Sequence, residues 1–182
     1  MISHFHLPGL FEFYEFYKKF LPLYRFHKEY FYDWCDIASI YGAPEDCLWG
    51  GGRTSFGIAE AKDVFELMNE FEISPRLTFS NSLIRSEHLD DKKCNRLCKL
   101  FENSKVATGI IVHSDLLLNY LKNQFANFYF ISSTTKVLTN FLDFESELNR
   151  ADFFFFFPDF RLNKSFEKLA GLSQNQKDKT EF

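Results

Sequence analysis

His113 stands directly after the apolar run GIIV at 109–112, and Ser132, Ser133 and Thr134 stand directly after the run NFYFI at 127–131. An imidazole titrates near neutrality and can take or give a proton, while clustered hydroxyls can hold a substrate by hydrogen bonds. Asn81 comes two residues after a third run, RLTF at 76–79, and Asp159 and Arg161 come just after five phenylalanines at 153–157. Arg53 follows Gly50, Gly51 and Gly52. Three successive glycines free the backbone to present N–H groups, and a helix beginning near residue 58 would let a phosphate or carboxylate sit beside Arg53. His113 and Asp159 are therefore the candidate catalytic residues. Arg53, Asn81, Ser132, Ser133, Thr134 and Arg161 are the candidate substrate-binding residues. The plainer alternatives are a strand-end histidine that only hydrogen-bonds, a structural arginine in a glycine loop, and an Asp159–Arg161 pair that only neutralises itself.

The elements that must position these groups repeat along the chain. Residues 109–112 read as a strand, 115–124 as a helix with Leu116, Leu117, Tyr120 and Leu121 on one face, and 127–131 as a strand. A helical crossover returns the second strand parallel to the first, so both strand C-termini reach one edge. Further strands are expected at 1–7, 36–41, 76–79 and 152–157, and helices at 10–32, 58–72, 90–103, 137–149 and 164–172. The helix at 10–32 carries an aromatic stripe, Phe13, Phe16, Tyr17, Phe20, Tyr24 and His27, expected to pack on the sheet, with a kink or restart at Pro22.

Six alternating units predict an α/β fold of parallel repeats, an incomplete TIM-type barrel of six strand–helix units, although a doubly wound sheet satisfies the same count. In either architecture ligands bind at the carboxyl ends of the strands. One domain is expected over 1–172, followed by a loose polar tail at 173–182. If the barrel lacks two strands, the chain is a fragment or its open edges take a partner, including a second copy.

The chain has 182 residues, a formal net charge of −4 and 25 phenylalanines. That charge gives no general attraction to phosphate backbones, although Lys92, Lys93, Arg96 and Lys99 form a local basic cluster whose plainer meaning is a solvated helix face. The phenylalanine content is read as core rings together with coding bias. No apolar run approaches the roughly 20 residues that span a bilayer, and the first residues lack a secretory pattern, so no membrane association and a cytoplasmic location are expected. Cys35, Cys47, Cys94 and Cys98 are expected to stay reduced, with Cys94 and Cys98 on one helix face as packing residues. His4 and His6, two apart on one strand face, come nearest to a ligand pair. No metal site is expected, and no cofactor is specified by these residues.

Several segments carry a family likeness. The first strand ending in Leu7-Pro8-Gly9, DIASIYGA with the glycine loop and arginine beyond it, RLTFSN, GIIVHSD and FYFISSTT resemble, in order and spacing, the N-terminal barrel of the collagenase-like peptidase family. That family also contains proteins implicated in hydroxylation of tRNA and rRNA bases and of ubiquinone precursors. The resemblance implies a barrel fold and brings nucleic acid in as a partner alongside a small-molecule or peptide ligand. In the members that hold an iron–sulfur cluster, the ligand cysteines lie beyond the matched segment, so neither cluster nor catalytic residue carries over. An enzyme domain, a non-catalytic protein-interaction module and an RNA-binding or RNA-modification component are the three functional expectations.

Overall fold

A computed structural model describes residues 2–51, 59–156 and 166–181. Among these residues one sheet of six strands is formed: β1 (Ser3–Pro8), β2 (Cys35–Gly42), β3 (Ser74–Phe79), β4 (Thr108–Val112), β5 (Phe128–Ser132) and β6 (Phe155–Phe156). All neighbouring pairs are parallel, and the strands lie in the order β1-β2-β3-β4-β5-β6. A doubly wound sheet reverses its order part-way across; strict chain order means that crossovers of one hand all lie on one face. The winding is that of a partial α/β barrel.

Between successive strands lie the helices α1 (Tyr14–Phe26), α2 (Ala61–Phe71), α3 (Lys92–Phe101), α4 (Asp115–Gln124) and α5 (Phe141–Leu148), with α6 (Phe166–Ala170) and α7 (Gln174–Asp178) after β6. Side chains that accept backbone N–H groups fix several helix starts: Asp91 for α3, Ser114 for α4 and Asn140 for α5. Asn140 explains why α5 begins later than residue 137. The helix expected over 10–32 is shorter, and it runs without a break through Pro22, ending at Phe26 before a single tight turn at Lys28–Tyr30.

Alternation along the strands separates two faces. Leu77 and Phe79 on β3, Ile110 and Val112 on β4, and Phe128 and Phe130 on β5 are buried on the helix side, where the Thr108 hydroxyl reaches the Phe101 carbonyl at the end of α3. Trp49, fully buried in the turn after β2, sets its ring edge-on to Phe79 and Tyr120. The opposite face carries Arg76, Thr78, Gly109, Ile111, Tyr129 and Ile131, in register with one another. A bulge leaves Ala38 unpaired between Ile37 and Ser39, which puts His6 level with Ser39.

The aromatic stripe of α1 is divided rather than packed as a whole. Tyr17 and Leu21 are buried, while Phe13, Phe16 and Phe26 are exposed, because the helix meets the sheet along a narrower band than the rings cover. The Tyr17 hydroxyl donates to the Pro8 carbonyl at 2.5 Å, and burial pushes its pKa up to about 12.

The tail is also different from the expectation. Ser173 and Gln176 form a reciprocal cap on α7, and Gln176 bonds to Asn149 at the end of α5. Beyond α7 the chain returns beneath the sheet, where the Glu181 carboxylate meets Arg76. A buried guanidinium needs a counter-charge, and none of the strand residues beside Arg76 supplies one.

Candidate functional site

At the C-terminal edge of the sheet the ends of β3, β4 and β5 are tied together. The His113 N–H donates to the Phe79 carbonyl, and the Ser133 N–H donates to the Val112 carbonyl, so the ladder continues one residue past each strand. Side chains continue the link: Ser80 and Ser133 hydroxyls lie 3.3 Å apart, Ser133 and Thr135 hydroxyls 2.8 Å, and Thr135 Oγ1 lies 2.8 Å from His113 Nδ1. Three strand ends therefore contribute to one chain of hydrogen bonds. Asn81 adjoins it: its backbone N–H donates to the Trp49 carbonyl and its side-chain amide to the Leu48 carbonyl. Gly51 turns there with φ +85, a left-handed conformation that favours glycine.

Of the eight candidate residues, Asn81, His113 and Ser133 meet at this rim. Arg53, Asp159 and Arg161 lie outside the described residues. Thr134 is exposed on the turn after β5. Ser132 is a correction. As the last residue of β5 it shares the parity of Phe128 and Phe130, so its hydroxyl faces the helices and donates to Glu147 of α5 at 2.7 Å. There it belongs to an ionic cluster in which Lys136 bonds to Glu147 at 2.5 Å and Arg150 bridges Glu147, Asp115 and Asp152. Burial by itself would raise the Glu147 pKa. The hydrogen bonds from Lys136 and Ser132, with the charges of Lys136 and Arg150, outweigh it and bring the pKa down.

Three participants are not among the eight candidates: Ser80 and Thr135, which the sequence places at strand ends, and Thr78. Arg76, Thr78 and Ser80 occupy alternate positions of RLTFS, so strand parity carried the signal for the first two members of this face. The Thr78 hydroxyl is the one buried side-chain polar atom without a hydrogen-bond partner among the described residues. It lies on the inner face two residues before Ser80, with its residue only 4% exposed. A buried hydroxyl without a partner carries a desolvation cost that a bound polar group or water would relieve. Val137 follows the rim turn at φ +54, a left-handed conformation costly for a β-branched residue.

The electrostatics of His113 favour its neutral form. Burial lowers its pKa, the Lys136 ammonium lowers it further, and Asp115 offsets part of this. In the tautomer with Nδ1 unprotonated, His113 accepts from Thr135, and Thr135 and Ser133 are then free to accept in turn from Ser133 and Ser80. That tautomer orients the hydroxyl chain toward the imidazole.

No family model and no curated protein matches the chain. Among solved structures it is similar to dihydroorotase from Campylobacter jejuni, at 18% identity and a TM-score of 0.40, over 100% of this chain and 49% of that one. The chain thus spans about half the length of that structure.

A second polar group lies deeper on the same face. Arg76, 2% exposed, binds Glu181 through two nitrogens at 2.7 and 2.9 Å and donates from Nε to the Tyr129 hydroxyl at 3.0 Å. His6 stands 3.3 Å from Glu181 and 2.7 Å from the Ser39 hydroxyl. The two histidines thus differ in role: His6 is held by a carboxylate and a serine inside the face, whereas His113 is at the rim. His4 pairs with Asp36, and no group of three or more His, Cys, Asp or Glu side chains among the described residues is arranged to hold a metal ion. No helix among the described residues is long and apolar enough to cross a membrane.

Proposed function

We propose that this chain is an enzyme domain of the α/β-barrel kind, with its reaction centre at the C-terminal rim. His113 is the proton acceptor, acting through the Thr135 hydroxyl, and Ser80, Ser133 and Asn81 orient a small polar or peptide ligand. The observation that carries this reading is the unbroken hydrogen-bond chain Ser80–Ser133–Thr135–His113, which draws on three successive strand ends. A merely structural histidine needs one partner, not a relay of three hydroxyls drawn from separate strand ends. The parallel sheet puts this rim where α/β folds bind ligands. The likeness of RLTFSN, GIIVHSD and FYFISSTT to the collagenase-like peptidase family agrees with a peptide ligand. The net charge of −4 weighs against an RNA backbone.

The test is a ligand-observed NMR screen of small carboxylic acids, amides, polyols and short peptides, with hits mapped by amide shifts. Hits that perturb Asn81, His113 and Ser133 and are lost in Thr135→Val support the proposal. Hits that perturb only the helix layer, or that bind Thr135→Val unchanged, or an absence of hits, defeat it.

A second reading, an interaction module, is favoured by the rings left outside. Phe5 packs on Trp34, which stacks with Tyr32, and Phe16 stacks with Phe20. Tyr30 and Tyr32 are exposed, 73% and 72%. Exposed ring clusters of this kind suit association with a second copy of the chain. Sedimentation velocity decides it: a monomer at all concentrations removes this reading, and a dimer lost in Tyr32→Glu supports it.

A further inference from the structure

The sulfurs of Cys47 and Cys94 lie 3.4 Å apart, although 47 residues separate them in sequence. Cys47 comes from the segment after β2 and Cys94 from the first turn of α3. Both are buried, but both also line a cavity of about 680 Å³ between that segment, the start of α2 and α3. Its volume falls in the range of small-molecule sites. Lys62, Lys93 and Arg96 stand around it together with Glu45, Asp46 and Glu60, and Lys93 is ion-paired to Asp46. The sulfurs need to approach by only about 1.4 Å to reach the disulfide length.

The two thiols are not equivalent. Either sulfur can donate in their contact; that contact, with the backbone N–H groups of Gly50 and Trp49, holds the Cys47 pKa down against the effect of burial. The same contact and burial push Cys94 up. Cys98, one turn along α3, is fully buried, does not line the cavity and is pushed up chiefly by burial. Together with the 3.4 Å contact, this marks Cys47 as the attacking sulfur and Cys94 as the resolving sulfur in the wall of a cavity lined by acidic and basic side chains alike.

We propose that Cys47 and Cys94 are a dithiol redox site, oxidised to an intramolecular disulfide by a hydroperoxide that enters through this cavity. The Cys47 sulfur attacks the terminal peroxide oxygen; an S–O bond forms, the O–O bond breaks, and the alcohol or water leaves with the Cys47 proton. The Cys94 sulfur then attacks the Cys47 sulfur, the S–O bond breaks, and hydroxide leaves as water with the Cys94 proton. Two electrons pass from the sulfur pair to the peroxide oxygens, and a thiol reductant reverses the change.

The test uses the full chain under native conditions with hydrogen peroxide and cumene hydroperoxide as probes. The expected result is loss of two of the four free thiols, a mass decrease of two hydrogens, and a non-reducing peptide map that joins Cys47 to Cys94. Cys94→Ser is expected to trap Cys47 as a sulfenic acid that dimedone labels, and Cys47→Ser to lose both products. A Cys94–Cys98 cross-link, no cross-link in the native wild-type chain, or oxidation that proceeds only when urea is present overturns the proposal. The wild-type peptide map alone is decisive if either variant fails to fold.

Discussion

Arg76 and Glu181 face each other across 105 residues of sequence, guanidinium to carboxylate, with side-chain exposures of 3% and 12%. Burial lowers the Arg76 pKa, but the hydrogen bonds that Arg76 donates to Glu181 and Tyr129, with the charge of Glu181, more than restore it, so the arginine stays charged. Removing one member leaves an uncompensated buried charge, which costs far more than replacing both by apolar groups.

Glu181→Gln is expected to destabilise the fold by about 3–5 kcal/mol, and the double variant Arg76→Met, Glu181→Leu by much less. Urea unfolding of Arg76→Met alone, Glu181→Leu alone and the double closes the cycle. If Glu181→Gln is neutral, the tail is not held by this pair.

Gly109 lies between Arg76 and Tyr129 in the ladder, and a Cβ there would stand 2.6 Å from the Tyr129 ring. The ring crosses the glycine to place its hydroxyl 2.9 Å from Ser74 and 3.0 Å from Arg76. Gly109→Ala is expected to cost about 1–3 kcal/mol by overpacking. Tyr129→Phe keeps the ring and loses two hydrogen bonds, a cost of about 1–3 kcal/mol because one partner is charged. Additivity of the two changes in thermal unfolding would show that they do not act through the same contact.

Thr78→Val separates a site from a packing accident. The hydroxyl has no partner, so replacing it by an isosteric methyl is expected to stabilise the chain by about 1 kcal/mol. If Thr78 faces a ligand, the same variant binds that ligand more weakly. Loss of stability would mean that the hydroxyl is satisfied after all. Val137→Gly, which relieves a φ of +54 in the rim turn, is likewise expected to gain about 1 kcal/mol, the strain relieved exceeding the added chain entropy.

Much of this architecture is written in local pattern. GIIV, DLLLNYLKNQ and FYFIS announced β4, α4 and β5 nearly residue for residue, because β-branched runs, a 3.6-residue stripe and a serine cap act over short distances. The rim position of His113 and Ser133 followed from those strands, and that of Asn81 from RLTF. What local pattern could not carry is contact at a distance. Glu181 reaching Arg76, Cys47 reaching Cys94 and Ser132 turning to Glu147 each depend on how distant elements pack. Phe13 and Phe16 had the spacing of a buried stripe, but the spacing of rings on α1 does not say how wide a band of the sheet they meet.

The last expectation concerns acid. His113 and His6 both have folded pKa values below 6.5, in each case through burial first and then a nearby cation, Lys136 or Arg76. For a histidine whose folded pKa is depressed, the unfolded chain takes up the proton first as pH falls. Unfolding therefore gains protons, and stability drops from about pH 6.5 down to the folded pKa values, then levels. The carboxylates Glu147 and Asp152, also lowered, act in a separate window: their stabilisation is intact above their ordinary values of 4.5 and 3.8 and is lost as pH falls through the folded ones. Two acid transitions are thus expected in unfolding free energy against pH. His113→Gln, which keeps a hydrogen-bonding group beside Thr135, should reduce the slope of the upper one and leave the lower one in place. A profile flat between pH 7 and 5, or an upper slope unchanged in His113→Gln, would show that the imidazole is as well solvated in the folded chain as in the unfolded one, and the relay through Thr135 would lose its base.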